Sequence, residues 1–256
     1  MARTVLITGA NRGFGLALTH ACLRGDDKVI ACCRDPDCAR SLHQLAEVYP
    51  TLVIHKLDVT QAEDYQTLKQ AIGAEPIDLV IANAGVAGGF DSAQASDLAV
   101  MRRMLEINLL GPATTFQPFI KALQTQPQAR CALVGVASIA GWRGMPGNGA
   151  YCASKGGLIR YLQSLRAEMR GSRISVHTVS PGYLRTPLTA GNRFAMPGLM
   201  DARPAARALL QAVAKGREQI VLPRRIGWLS RLLDCLPDAL HDRILRNQPR
   251  KPRLGE

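Results

Sequence analysis

With 256 residues, 47% hydrophobic and 20% charged, the chain can bury a sizeable core, and its composition excludes a disordered or fibrous protein. Lys and Arg outnumber Asp and Glu by 32 to 20, giving a net charge of +12, which raises nucleic acid or an anionic membrane as partners. No recognition motif or aromatic interleaving among the arginines supports nucleic acid, no apolar run approaches the roughly 18 residues of a membrane span, and MARTVLITGA has no secretory-leader pattern, so the expected location is cytoplasmic.

The elements alternate along the chain. RTVLIT (3–8) reads as a strand, followed by a Gly-rich turn and the helical pattern LALTHACLR (16–24). KVIACC (28–33) is strand-like and ARSLHQLAEV (39–48) helical. TLVIHKLDV (51–59) is a third strand ending near Asp58. Thr60 with Glu63 three residues on predicts a capping box for the next helix. IDLVIANAG (77–85) is a fourth strand, 97–124 a long helix, and ARCALVGVAS (129–138) a fifth strand. A helix over 150–170 and the strand RISVHTVSPG (173–182) complete the series. Near-continuous apolar strands each followed by a helix predict an α/β fold, a single doubly wound Rossmann-type domain with a mostly parallel sheet and helices on both faces. In such sheets ligands bind at the carboxyl ends of the strands. The seven cysteines are scattered without Cys-x-x-Cys, and the five histidines have no metal-ligand spacing, so the expectation is reduced thiols and no metal.

TGANRGFG (8–15) sits where a ligand is expected, after the first strand and opening a helix. Gly9, Gly13 and Gly15 let the backbone turn sharply and let a pyrophosphate approach the helix N-terminus. An acidic residue about 20 positions on is the usual partner of the ribose hydroxyls in NAD, and Asp35 holds that spacing from Gly15. However, the residue directly after the second strand is Arg34, and DPDC from Asp35 has the composition of a turn. Arg12 and Arg34 suit a 2′-phosphate, so the expected cofactor is NADP(H).

YCASK (151–155) places a lysine one helical turn after a tyrosine. That spacing is weak alone, since about one chain in seven of this composition would hold an accidental match, and YQTLK (65–69) is a second one. The wider set decides between them. TGANRGFG, Asp58 after the third strand, NAG at 83–85, Asn108 in INLLG, Ser138 in ASIAG, YCASK and PGYLRT at 181–186 occur in order over about residues 3–222. In this the chain resembles the short-chain dehydrogenase/reductases, carbonyl-reductase-like members included. The resemblance implies a nicotinamide cofactor and a catalytic group Asn108, Ser138, Tyr151 and Lys155. It also implies cofactor contacts from Gly9, Asn11, Arg12, Gly13, Phe14, Gly15, Arg34, Asp58, Val59, Asn83, Ala84, Gly85, Tyr151, Lys155, Pro181, Gly182 and Thr186.

The implied chemistry is physically coherent. Hydride arriving at a carbonyl carbon builds negative charge on its oxygen, which needs a proton donor. A free phenol has a pKa of about 10, and a lysine ammonium one turn away would lower it. Ser138 would hydrogen-bond the substrate oxygen, and Asn108 would hold a relay water near the lysine. Tyr65 follows no strand-end serine and is expected to make a surface contact with Lys69.

Residues 187–204 fall in the family's variable substrate loop. Tyr183, Phe194 and Met196, with Leu199 and Met200, and Trp142 with Met145 across the cleft, would either form an apolar substrate wall or only seat the loop on the core; Arg143 or Arg193 could bind a carboxylate. The chain divides into a catalytic NADP-binding part, 1–223, and a basic C-terminal extension of the same domain, 224–256. In the extension Ile226, Leu229, Leu233 and Leu236 make a helical stripe that Pro237 interrupts, and Leu240, Ile244 and Leu245 resume it. Capping the cleft or packing on a partner subunit is favoured for this tail, with peripheral contact to an anionic membrane as the other reading. A homodimer is expected, and the tail leaves a tetramer in doubt. The leading function is an NADPH-dependent reductase of a ketone or aldehyde that is at least partly apolar; the alternative is a catalytically silent NADPH-binding sensor or scaffold.

Overall fold

Seven apolar runs pair side by side in the computed structural model, which describes residues 2–73, 75–125, 131–246 and 251. The strands are β1 (Thr4–Thr8), β2 (Lys28–Cys33), β3 (Leu52–Lys56), β4 (Leu79–Ala82), β5 (Cys131–Val136), β6 (Ile174–Pro181) and β9 (Gln219–Leu222). They form one parallel sheet in the order β3-β2-β1-β4-β5-β6-β9. A short pair, β7 (Leu184–Arg185) with β8 (Met200–Asp201), lies apart from it and brackets the segment expected to hold substrate, which begins with the one-turn helix α7 (Pro187–Ala190).

Strands buried on both faces need apolar side chains at consecutive positions. Cys32 and Cys33 show this directly: adjacent on β2, they enter the two opposite cores. One core takes side chains from α1 (Gly13–Leu23), α2 (Arg40–Val48) and α8 (Ala202–Ala214), including Leu18, Leu42 and Leu209. The other takes Leu68 from α3 (Ala62–Ile72), Phe116 from α5 (Gly111–Thr125) and Leu162 from α6 (Gly149–Glu168). All seven cysteines are free thiols; five are buried, and Cys38 and Cys235 are exposed.

Three local expectations change. The helix expected over 97–124 is α4 (Asp97–Leu105) and α5 joined by a π-helical turn, Glu106–Leu110, which carries Asn108. The capping box at Thr60 does not form: Gln61 is the N-cap of α3, while Thr60 donates from N and Oγ1 to Asp58 Oδ1 at 2.9 and 2.8 Å. The turn formed by Asp58 satisfies itself locally, which removes the hydroxyl that would have capped the helix. Tyr65 is no surface residue either. It is buried, and its hydroxyl meets Thr115 Oγ1 at 2.7 Å, a contact between α3 and α5 that periodicity in one segment could not reveal.

The extension forms α9 (Arg224–Asp234) and α10 (Asp238–Leu245), separated at Pro237 as expected; residues 247–250 and 252–256 of it lie outside the described residues. It is tied to the body by Arg143, which donates to the carbonyls of Asp234 and Leu236, both at 2.7 Å, and pairs with Asp238 at 2.6 Å. These carbonyls are the ones a helix C-terminus leaves unpaired. Arg143 therefore serves as the clasp for the turn between α9 and α10, and the carboxylate-binding role considered for it is displaced. No helix among the described residues is long and apolar enough to cross a membrane.

Candidate active site

The strand order reverses between β1 and β4, and the loops after these two strands are bound together. Thr8 Oγ1 accepts from the backbone N–H groups of Asn83 and Ala84, both at 3.1 Å. Asn83 Nδ2 in turn donates to the carbonyls of Thr8 and Gly9 at 3.0 and 3.2 Å. A Cβ on Gly9, where φ is +64°, would lie 2.9 Å from Ala84 Cα, so this close crossing admits only glycine. The side chain of Asn83 is thus consumed in holding TGA against NAG.

Gly13 opens α1 at φ +56°, and a Cβ there would project to within 3.3 Å of Thr186 Cβ. The helix start has no side-chain cap and no acidic residue in its first turn. Free N–H groups with a positive dipole end suit an anion, and an added side chain at position 13 would fill the space beside Thr186. These residues fit a dinucleotide's pyrophosphate. Phe14, grouped with them in the sequence, buries its side chain in the core, leaving its main chain as the part available to a ligand. Val59 is also buried, against Gly111.

At the ends of β1 and β2, Arg12 and Arg34 are exposed, and neither is held in an ion pair or side-chain hydrogen bond among the described residues. Asp35 is held: its Oδ1 accepts from Cys38 N at 3.2 Å, closing the DPDC turn. A carboxylate engaged in its own turn is a poorer ribose partner than spacing alone implied, whereas both guanidinium groups remain available.

Past β5, Ser138 begins a single 3₁₀ turn, Ile139–Gly141, and its Oγ accepts from Ala140 N at 3.1 Å. Its hydroxyl lies close enough to Tyr151, which stands in the first turn of α6, to favour the phenolate. Lys155, one turn on, is buried and donates from Nζ to the Val136 carbonyl at 2.8 Å, on the strand that leads to Ser138. The predicted serine, tyrosine and lysine thus converge on the carboxyl end of β5.

The electrostatics differ from the expectation. Burial pushes the Tyr151 phenol above its ordinary value, and the neighbouring Ser138 hydroxyl opposes this. Burial instead drives the Lys155 ammonium itself down to about 8. Desolvation dominates at both groups, and the ammonium is turned to a backbone carbonyl.

Asn108 lies within this cluster, fully buried. Its amide joins Val86 through two bonds of 2.9 Å, accepting from N and donating to O, and donates to Ser154 Oγ at 3.0 Å. Ser154 Oγ continues to the Tyr151 carbonyl at 2.8 Å. With its side chain committed to protein partners, Asn108 positions the loop after NAG and the start of α6. Ser154 is the link that sequence reasoning missed; a serine three residues after the tyrosine was its only signal. A Cβ on Gly85 would lie 3.2 Å from Asn108 Oδ1 and 3.5 Å from Lys155 Nζ, so this glycine lets the chain pass over both.

The aromatic wall is partly assembled. Tyr183 and Phe194 meet edge to face with ring centroids 6.1 Å apart, and Tyr183 lies close enough to influence the Tyr151 phenol. Met196 and Leu199 line a cleft of about 580 Å³ with Arg185, Thr186, Pro187, Thr189 and Ala190. Trp142 is diverted: the Arg231 guanidinium of α9 covers its ring at 5.4 Å. Pro181 and Gly182 flank the site, the Pro181 carbonyl 3.4 Å from Ser138 Oγ.

A family model described as short chain dehydrogenase matches residues 3–196. An uncharacterized oxidoreductase of Myxococcus xanthus is 34% identical over 247 residues, which cover 95% of this chain and 96% of that one. A short chain dehydrogenase from Burkholderia cenocepacia, solved in complex with NADP, superposes with a TM-score of 0.82 at 26% identity, covering 97% of this chain and 98% of its own. Another from Burkholderia phymatum, solved with NAD, gives 0.81 at 23% identity and 99% and 98% coverage.

Proposed function

Because the chain belongs to the short-chain dehydrogenase/reductase family, an oxidoreductase family acting between CH–OH and C=O, we propose that it reduces a ketone or aldehyde with NADPH. The observation that carries this reading is the convergence of Ser138, Tyr151 in the first turn of α6 and buried Lys155, bonded to Val136, at the carboxyl end of β5. When bound, the nicotinamide cofactor supplies the hydride and, once oxidised, a positive charge.

The chain's own residues handle the proton. Tyr151 Oη holds it, and the raised phenol keeps it there at neutral pH, ready for a carbonyl oxygen that gains charge. Ser138 Oγ donates a hydrogen bond to that same oxygen, aiming it at the phenol. Lys155, a cation one helical turn away that rests on the Val136 carbonyl, would favour the phenolate once it turns to Tyr151, and Asn108 fixes the backbone on which both stand. Arg12, Arg34 and the first turn of α1 would hold the phosphates, with Gly85 and Thr186 beside the nicotinamide half. Tyr183, Phe194 and Met196 favour an at least partly apolar substrate. A homodimer is the assembly we expect.

NADPH consumption over short, aromatic and long-chain carbonyls, with NADH in parallel, tests the reading; a chain that binds NADPH and turns over none of them would speak for a sensor. Arg34→Glu should cut kcat/KM for NADPH by about 10- to 100-fold, the worth of a charge-assisted contact, and should spare NADH. Asp35→Asn should leave the ratio between the two cofactors nearly unchanged, because Asp35 serves its own turn. The reverse pattern would assign the site to NAD.

A further inference from the structure

A helix on a protein surface ordinarily turns its apolar side inward. α9 does the opposite with its largest side chains. Its one buried residue is Gly227, which packs on Val221, and beside it the half-buried Ile226 lies over Gly198 and Gly182, while the exposed Arg231 reaches over the Trp142 ring. Trp228 and Leu232, four apart, are 76% and 68% exposed, and Leu229 and Leu233, also four apart, are 53% and 37% exposed. On α10, Leu240 and Ile244 repeat the pattern. The stripe of Ile226, Leu229, Leu233 and Leu236 expected to seat the tail is therefore split: Ile226 and Leu236 are half-buried, while Leu229 and Leu233 are exposed.

We propose that this face docks onto an anionic lipid surface. Exposed Arg224 and Arg225 stand at the start of α9, and exposed Arg243 and Arg246 on and after α10. Asp234 and Asp242 share these helices, while Asp238 is paired with Arg143. From 224 to 253 eight Arg or Lys stand against three Asp, in a chain already at +12. An anionic lipid surface would neutralise these arginines together, in keeping with the excess of positive charge over the three aspartates. A tryptophan among leucines flanked by arginines is the composition of an interfacial helix. α9 touches the substrate segment through Ile226 on Gly198, so docking would bring that segment to the lipid face. Only this last consequence, delivery of an apolar substrate from lipid, rests on the reductase reading; docking does not.

The chain has two tryptophans, Trp142 and Trp228, which makes the test direct. The full chain is mixed with vesicles of phosphatidylcholine alone or of phosphatidylcholine with phosphatidylglycerol, and is followed by flotation and tryptophan emission. Flotation and a blue shift are expected with the anionic vesicles only. Trp228→Phe should abolish the shift, and Leu229→Ser with Leu232→Ser should weaken binding at least about tenfold, with unchanged circular dichroism. Arg224→Gln with Arg225→Gln should weaken it too. Three results would each overturn the proposal: no flotation with either vesicle, equal flotation with both, or self-association in lipid-free solution that the leucine substitutions abolish. Turnover of a water-soluble carbonyl without vesicles tests the reductase reading separately.

Discussion

Tyr151→Phe should lower kcat/KM for carbonyl reduction by about 10²- to 10⁴-fold, the range of a lost general acid, while NADPH still binds. The substitution removes one oxygen. Ser138 keeps its contacts to Ala140 N and the Pro181 carbonyl, so the strand end it organises should hold its shape. Steady-state kinetics beside a fluorescence titration of NADPH separate the two effects. A structural tyrosine would behave otherwise: turnover would survive the change, and the proposed proton donor would have to be found elsewhere. The pH dependence adds an independent readout. Burial raises the phenol, so the acid form needed for reduction is populated across neutral pH and reduction should be flat there. Alcohol oxidation needs the phenolate, so its rate should climb with pH toward the alkaline range. In Tyr151→Phe that climb should disappear.

The sheet was legible because its signal repeats. Each interior parallel strand must be apolar on both faces, and Val5 to Thr8, Val29 to Cys33 and Leu79 to Ala82 are buried at every position. The serine, tyrosine and lysine were legible because the order of motifs along the chain tracks the order of strand ends in space. What escaped the sequence is what depends on a partner distant in the chain. Tyr65 looked like a surface residue until α5 brought Thr115 to its hydroxyl. Arg143 looked like a substrate ligand, but the carbonyls it binds lie more than 90 residues later. The tail shows a further limit: periodicity located a helix on either side of Pro237, but several neighbouring faces of α9 are apolar. Small neighbours, Gly182, Gly198 and Val221, decided which one turned inward.

Lys155→Met should abolish most turnover and yet make the protein more stable. The Lys155 side chain is 4% exposed, and burial brings its ammonium from an ordinary 10.5 to about 8. Below about pH 8 the lysine is protonated in the folded and the unfolded chain alike, so the folded state bears the whole cost of the buried charge. Between about 8 and 10.5 that cost fades, and above it there is none. At about 1.4 kcal/mol for each pKa unit, the penalty at neutral pH is on the order of 3 kcal/mol. Methionine fills similar volume without the charge, though it leaves the Val136 carbonyl unpaired at a cost of about 1 kcal/mol or more. The net gain should be about 1–2 kcal/mol, seen as a melting temperature higher by several degrees at pH 7. The advantage should shrink as pH rises from 8 toward 10.5, where the wild-type chain sheds its buried charge. If the variant proves less stable than wild type at pH 7, Lys155 is an anchor for β5 through Val136, and its burial has a structural reason. If it proves more stable and inactive, the fold tolerates a costly ammonium at this position for what it does to the neighbouring phenol.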